Sequence, residues 1–418
     1  MLKKRSNQIT ARGRLILLCW LVYALSYIGK VNYSANVNQI MSFYNVSHAN
    51  AGLATTFFFF SYAVGQIVHG LLSKKYNLKW VIFLSLIMSG SINLVVGIST
   101  NFKVVKYLWL INGFVLSMLW PSLIRTLSEN LSKKDMVRAS KVMGTTVATG
   151  TFAIYLASAL LVNINFKLSF FVPATVLVLI AVLWIFAFDK VSTTAKEEAD
   201  NIEIEEEKSV GVKTEPFNKS LLFLSIGMLA FYGIATNLIK EGLTTWVPSI
   251  LKEQYNLGES LSIALTLALP IVAIFGNLFV IELNKAIKDY VLLAASLFLF
   301  SGIIMGIIIG GLSLNQFTIT LAGFALVSFF TAGSNSLITG IFPLFMKGKV
   351  DSGKIAGILN AFCCLGSTLS AYGLGEIADN YGWDMVFWVL LGVCVLVCII
   401  ALIYILIKKL IFKNQKYI

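Results

Sequence analysis

Charge is scarce in these 418 residues: Asp, Glu, Lys and Arg together make up 13%, about half the roughly 25% usual in a soluble domain. So few cannot cover a water-facing surface, which excludes a soluble enzyme, a DNA-binding module and a disordered chain. Histidine is scarcer still. His48 and His69 have no carboxylate placed beside them within an apolar run, so a histidine proton relay has no visible basis. The five cysteines, Cys19, Cys363, Cys364, Cys394 and Cys398, all fall in apolar stretches. Metal or redox chemistry needs Cys-x-x-Cys or Cys/His spacing in a polar loop, so these read as small core residues, and neither a metal nor a cofactor is expected. No phosphate-binding loop and no nucleophile motif occurs, which leaves ATP-driven pumping and hydrolysis unsupported. Two-residue alternation is also missing, which excludes an outer-membrane barrel.

What the sequence has in abundance is continuous apolar sequence. Hydrophobic residues are 57% of the chain and mean hydropathy is +0.82. Twelve blocks stand out, approximately 15–42, 50–73, 80–100, 104–128, 139–162, 167–188, 219–250, 260–282, 290–311, 316–346, 354–375 and 384–407. Each meets the roughly 20 residues that a membrane-spanning helix needs. The expected fold is therefore an all-α polytopic membrane protein of twelve transmembrane helices. The basic start followed by an apolar run lacks a small-x-small cleavage site, and is expected to be a retained first helix.

The net charge of +13 has a topological explanation. With both termini on one side, that side carries 26 of the 33 Lys and Arg residues, and the opposite side only Lys103, Lys106, Lys167 and Lys252. The positive-inside rule makes the rich side, and both termini, cytoplasmic. No nucleic-acid partner is needed to explain the basicity. Between Asp189 and Lys219 nine acidic residues and five lysines replace the apolar pattern, as expected of a solvated, partly flexible segment. This divides the chain into a first six-helix bundle (1–188), an acidic cytoplasmic linker (189–218) and a second six-helix bundle (219–418). The linker is a plain tether or a docking site for a partner. The halves resemble each other: Phe166-Lys167-Leu168-Ser169-Phe170-Phe171-Val172 enters helix 6 much as Trp383-Asp384-Met385-Val386-Phe387-Trp388-Val389 enters helix 12. Parallel repeats of this kind place a substrate site between the halves.

Few ionisable residues lie deep in the apolar blocks, so each is informative. Lys30 on helix 1 and Lys240 on helix 7 each cost about 2.5–3.5 kcal/mol to insert, and each sits on the first helix of its half. They either converge on an anionic substrate or snorkel to an interface. Neighbouring helix residues point about 100° apart, so Glu241 is not expected to pair with Lys240. Tyr23, Tyr27 and Lys30 fall at i, i+4 and i+7, on one face, and Tyr62 with Gln66 gives helix 2 a comparable polar face. Trp120-Pro121 and Trp246-Val247-Pro248 mark expected bends. Arg125 and Glu129, one turn apart at the inner end of helix 4, form either an interfacial charge network or simple topogenic charge.

Twelve helices in a 6 + 6 division resemble the major facilitator superfamily. Within it, three segments resemble the organophosphate:phosphate antiporter family. They are Asn112-Gly113 through Trp120-Pro121 to Arg125, Lys240-Glu241-Gly242 through Trp246 to Pro248, and Gly375-Glu376 through Asp379 to Asp384, placed at the start of helix 12. The resemblance implies that basic residues on helices 1 and 7, normally arginines, bind phosphate; Lys30 and Lys240 occupy those places. It also assigns Tyr23, Tyr27, Tyr62 and Trp120 to the site, with Asn237 one turn before Lys240. The family's helix 5 histidine falls at or near Thr146, its helix 2 lysine is Gln66 here, and Lys74 replaces the aspartate of the loop between helices 2 and 3. Glu241, Arg125 and Lys74 are the expected gating or coupling residues. Tyr27-Ile28-Gly29-Lys30-Val31-Asn32 is also similar to the anion:cation symporter family, whose substrates include organic carboxylates. The expected protein is a monomeric secondary transporter of a small organic anion in the inner membrane, an organic phosphate exchanged for inorganic phosphate. The alternatives are cation-coupled carboxylate uptake and a transporter-like sensor of a sugar phosphate.

Overall fold

The computed structural model describes residues 10–72, 75–206, 219–346 and 352–411. Among them eleven stretches are long and apolar enough to cross a membrane. In chain order they are α1 Ala11–Ala35, α2 His48–Leu72, α3 Leu78–Ile98, α4 Phe102–Asn130, α5 Arg138–Asn165, α6 Leu168–Glu206, α7 Lys219–Tyr255, α8 Glu259–Ala286, α9 Tyr290–Ser313 and α10 Phe317–Ile341, then one stretch of 60 residues, Ser352–Ile411. At 1.5 Å per residue that last stretch is about 90 Å long, three times the roughly 30 Å hydrocarbon core. Gly382 interrupts it with φ 79° and ψ 172°, a conformation that residues with a Cβ rarely adopt. It separates α11 (352–381) from α12 (383–411).

Helix ends and breaks follow local chemistry. The short helix Val37–Tyr44, α7 and α9 are each followed by an asparagine with positive φ, Asn45, Asn256 and Asn315, the residue after glycine best suited to a left-handed stop. Thr10, Asn77, Asn101 and Asp289 accept the first free N–H groups of α1, α3, α4 and α9, as N-caps do. Proline lacks an N–H for the carbonyl four residues earlier. Accordingly α4 breaks at Ser117–Met118, before Pro121, where Met118 donates to Val115 at 3.4 Å. Likewise α8 breaks at Leu267, before Pro270, and α10 ends in a π-helical turn at Leu337–Ile341, before Pro343. The expected bend at Trp120-Pro121 thus has a counterpart, whereas α7 runs through Pro248 without a break.

Two expectations need correction. The acidic stretch after Asp189 is helical as far as Glu206, because Glu, Lys and Ala are strong helix formers. Glu198 anchors this extension, accepting from the Arg12 Nε at 3.1 Å. Residues 207–218 lie outside the described residues. The segment Gly375–Tyr381, expected at the start of helix 12, instead ends α11, and Gly382 makes the whole turn.

The interior divides along the chain. One apolar core is built from α1–α6, with Cys364 of α11 reaching into it, a second from α7–α12 with Val37 and Ala51 of the first half, and a smaller third joins α1 and α5 to Ile263 of α8. Inside the first, a chain of amides replaces side-chain packing: Asn32 donates to Asn93 at 2.8 Å, and Asn93 and Asn112 both donate to the Gly29 carbonyl at 3.2 and 3.0 Å. Such bonds are satisfied away from water, where an unmet amide is expensive. Glycines bring helices of one half together. A Cβ on Gly150 would stand 2.2 Å from the Ala24 carbonyl oxygen, and one on Gly366 2.0 Å from that of Ile234. Gly52 does the same across the halves: a Cβ there would stand 2.4 Å from the Ala371 carbonyl oxygen. The outer surface is apolar, with Phe186 81% and Phe223 74% exposed, as a lipid-facing surface requires and a water-facing one does not.

Candidate functional site

We call the side bearing the start of α1 terminal and the other distal. Hydrogen bonds joining the halves cluster distally. Asn38 accepts from Ser249 at 2.6 Å, Gln39 donates to Glu259 at 2.7 Å, and Thr56 donates to the Thr368 carbonyl at 2.9 Å. Tyr155 donates to the Thr244 carbonyl. The densest group surrounds His48. Its Nδ1 lies 2.7 Å from Asp379 Oδ1 and its Nε2 2.7 Å from Glu253 Oε1. Asp379 also accepts from the Ala49 N–H at 2.8 Å, and Glu253 from the Trp383 indole at 2.8 Å. Trp246 and Trp383 enclose the ring, centroids 5.5 and 5.2 Å away. A neutral imidazole has one N–H, whereas a carboxylate faces each nitrogen here, so a doubly protonated ring satisfies both carboxylates and a neutral one only one of them. This corrects the expectation that His48 lacks a carboxylate. Its partners lie 205 and 331 residues away in sequence.

Deeper in, between the halves, lie the two lysines. The close approach of α1 to α5 at Gly150 fixes the α1 face that carries Tyr23, Tyr27 and Lys30. The Lys30 Nζ sits over four rings, Tyr62 at 4.6 Å, Tyr27 at 4.7 Å, Phe59 at 5.1 Å and Phe58 at 5.6 Å, and donates to the Tyr27 hydroxyl at 3.4 Å. Each ring face attracts a cation by about 0.5–1 kcal/mol, more when desolvated. Among the described residues no carboxylate comes within 4.0 Å of this ammonium. Trp120 of α4 packs on Tyr23 with centroids 4.7 Å apart, so Lys30, Tyr23, Tyr27, Tyr62 and Trp120 form one cluster.

Lys240 is different. Its Nζ lies 2.7 Å from Glu241 Oε1, contrary to the expectation from adjacent helix positions. The flexible four-carbon stem of lysine spans the angular gap, and the low-dielectric interior rewards the pairing. Glu241 is also within electrostatic reach of Lys30, beyond ion-pair distance, so one carboxylate is paired with the second half's cation and feels the first half's. Tyr27 of α1, Tyr155 of α5 and Cys364 of α11 lie within electrostatic reach of the same carboxylate.

The remaining expected residues divide. Asn237 donates to Asn335 of α10 at 3.0 Å, one turn from Lys240. Gln66 accepts from Asn360 of α11, a bond between the halves. Thr146 is fully buried and donates to the Met143 carbonyl of its own helix at 2.5 Å, so its one hydroxyl proton is committed there. Arg125 pairs with Glu129 at 2.6 Å near the terminal end of α4. Lys74 lies outside the described residues. Phe58, Phe59, Asn335, Asn360 and Cys364 were missed from sequence. The amides carried a usable signal, as polar residues within apolar blocks.

The profile of the Major Facilitator Superfamily matches residues 19–350. The chain belongs to that superfamily. It is accordingly a multi-pass membrane transporter and not an enzyme. Among curated relatives of this facilitator, the membrane sensor protein UhpC of Escherichia coli is 23% identical, covering 91% of this chain and 89% of that one. A probable hexose phosphate transport protein of Chlamydia trachomatis is 22% identical (93% and 90% covered), and human sugar phosphate exchanger 3 is 22% identical (88% and 82%). These relatives match the resemblance to organophosphate:phosphate antiporters. Among solved structures, a bacterial homologue of the human lysosomal transporter Spinster, inward-facing and occupied, overlays with a TM-score of 0.73 at 14% identity, covering 97% of this chain and 98% of that one. The D-xylose-proton symporter overlays at 0.70 and 11%, covering 92% and 95%. Both likenesses concern the fold.

Proposed function

We propose that this facilitator exchanges a small organic phosphate for inorganic phosphate across the cytoplasmic membrane, by alternating access. The observation that carries the reading is that Lys240, from the second half, pairs with Glu241 while Lys30, from the first, lies within electrostatic reach of the same carboxylate. An anion between them bridges the bundles, and its binding energy differs between open and closed arrangements, which a ligand must achieve to shift them. Twelve crossings, bundles 1–188 and 219–418 joined by 189–218, and cytoplasmic termini complete the proposal, supported by the uneven distribution of basic residues. On this orientation the distal side is outward and the His48 latch closes it. The protein acts as a monomer, with the site enclosed by one chain.

Proteoliposomes loaded with inorganic phosphate should accumulate labelled glucose 6-phosphate by counterflow. Absence of both exchange and binding would overturn the proposal. A reporter fused after Lys208 should be cytoplasmic and one inserted near Asn315 external. A second reading is supported by the likeness to a membrane sensor: the same site binds a sugar phosphate without moving it. Saturable binding with no counterflow in the same preparation would favour the sensor.

A further inference from the structure

We propose that Glu241 fixes the proton content of the bound substrate, so that the site takes up about one proton with each phosphate monoester dianion and accepts a single phosphate group. The inference rests on the phosphate reading above and specifies its substrate further. It follows from charge balance. Lys30 and Lys240 bring two positive charges to the space between the halves, and Glu241 returns one negative charge. Among the described residues, the other titratable groups within electrostatic reach of Glu241 are Tyr27 from α1, Tyr155 from α5 and Cys364 from α11. All are neutral at pH 7 by their ordinary chemistry. The space therefore carries one net positive charge.

A monoanion brings that space to neutrality. A dianion would leave one uncompensated negative charge in a low-dielectric interior, which proteins avoid by changing protonation. Phosphate monoesters have a second pKa near 6, so above pH 7 the species in solution is the dianion. Its oxygens compete with Glu241 for the Lys240 ammonium, now held at 2.7 Å. Once displaced, Glu241 has among the described residues only Lys30 as a further cation, and the substrate claims that one too. A proton from water resolves the conflict. It joins the Glu241 carboxylate and the incoming phosphate oxygen in one hydrogen bond, with the carboxylic acid as donor. The same balance disfavours bisphosphates and tricarboxylates, whose extra charges have no partner. It admits a permanent monoanion such as a sulfonate without any proton. In exchange of one phosphate compound for another, each direction carries its own proton, so the cycle is electroneutral and runs without a proton gradient.

The test is titration calorimetry on the full chain in nanodiscs, in two buffers of different ionisation enthalpy, with glucose 6-phosphate, inorganic phosphate and methanesulfonate as probes. Wild-type protein at pH 8 should take up about one proton per glucose 6-phosphate bound. Its Kd should rise about tenfold per pH unit between 7.5 and 9, the slope that linkage assigns to one proton. Glu241→Gln should abolish both the uptake and the slope, and at pH 9 should bind glucose 6-phosphate more than tenfold tighter than wild type. Any methanesulfonate binding should involve no proton in either protein. Binding of glucose 6-phosphate to the wild type without proton uptake overturns the proposal whatever the variant does, so a Glu241→Gln protein that fails to fold leaves the test intact. Retention of the wild-type slope in a folded Glu241→Gln also overturns it. If neither phosphate compound binds wild-type protein, the phosphate reading itself fails.

Discussion

Replacing Lys30 by alanine should separate two quantities that usually fall together. Lys30 lies in a cage of four rings and donates to Tyr27 at 3.4 Å, with no carboxylate within ion-pair distance among the described residues. A charge-assisted hydrogen bond to a bound anion contributes about 1.5–3 kcal/mol, so its removal should raise Kd about 10- to 150-fold at 1.4 kcal/mol per decade. The folded protein, by contrast, is relieved of an ammonium that costs about 2.5–3.5 kcal/mol within a membrane. It forfeits cation–π attractions of about 0.5–1 kcal/mol per ring or somewhat more. These terms nearly cancel, so Tm should change little while affinity collapses. Thermal unfolding in nanodiscs and glucose 6-phosphate binding on the same preparation measure both. Lys30→Arg should preserve binding, since the guanidinium fork suits phosphate oxygens. A double-mutant cycle of Lys30→Ala with Lys240→Ala should be non-additive if one anion spans both. Wild-type affinity in well-folded Lys30→Ala would refute the reasoning and place the anion elsewhere.

Lys240→Ala should behave in the opposite way: it strands Glu241, and breaking a fully buried pair costs about 3–5 kcal/mol, an upper bound for this partly buried one. Tm should fall and recover in Lys240→Ala/Glu241→Gln; no recovery would mean that the pair is not what holds the region. His48→Ala removes a bridge to both Asp379 and Glu253, and should increase labelling of a distal probe cysteine at Ser249→Cys. Raising the pH above the imidazole range should do the same in a wild-type background, because a neutral ring has one donor for two carboxylates. Unchanged labelling in both would sink the latch. On the terminal side, burial pushes the Asp135 carboxyl up, but hydrogen bonds from Ser132 and Arg12, and the charges of Arg12 and Arg138, outweigh it and hold the group below its ordinary value. A depressed carboxylate stabilises above its unfolded pKa, near 3.9, and loses that contribution as pH falls through the lower folded value. Asp135→Asn should therefore lower Tm at pH 6 and have no effect near pH 2; an equal effect at both would show that charge is irrelevant there.

The apolar helices were readable because lipid cannot hydrogen-bond a backbone, so each crossing must be a long apolar helix. The α1 face was readable for the same reason of regularity: Tyr23, Tyr27 and Lys30 fall together by helical spacing alone. The turn at Gly382 was not, because a single residue with φ 79° needs no polar loop and leaves none in the sequence. The partners of His48 come from α7 and α11, and no pattern within α2 points to them. The Lys240–Glu241 pair was misjudged because helix geometry fixes where a side chain starts and not where a long one ends. Thr146 satisfies its own helix, a choice open to any buried threonine and invisible at the level of residue type.

The tight glycines of this facilitator are of two kinds, and the difference has a practical consequence. Gly150 and Gly366 let helices of the same half approach each other, a contact that rocking of whole bundles leaves intact, so a methyl there is opposed in every state and destabilises the bundle without favouring either one. Gly52 meets Ala371 across the halves, a contact that alternating access must break once per turnover. A methyl at this position is opposed only while the distal side is shut. Overpacking costs about 1–3 kcal/mol, which applied to one state alone acts as a wedge and moves the resting ratio of conformers about 5- to 150-fold. One carbon atom at residue 52 is thus a means of choosing which way an otherwise intact protein faces at rest.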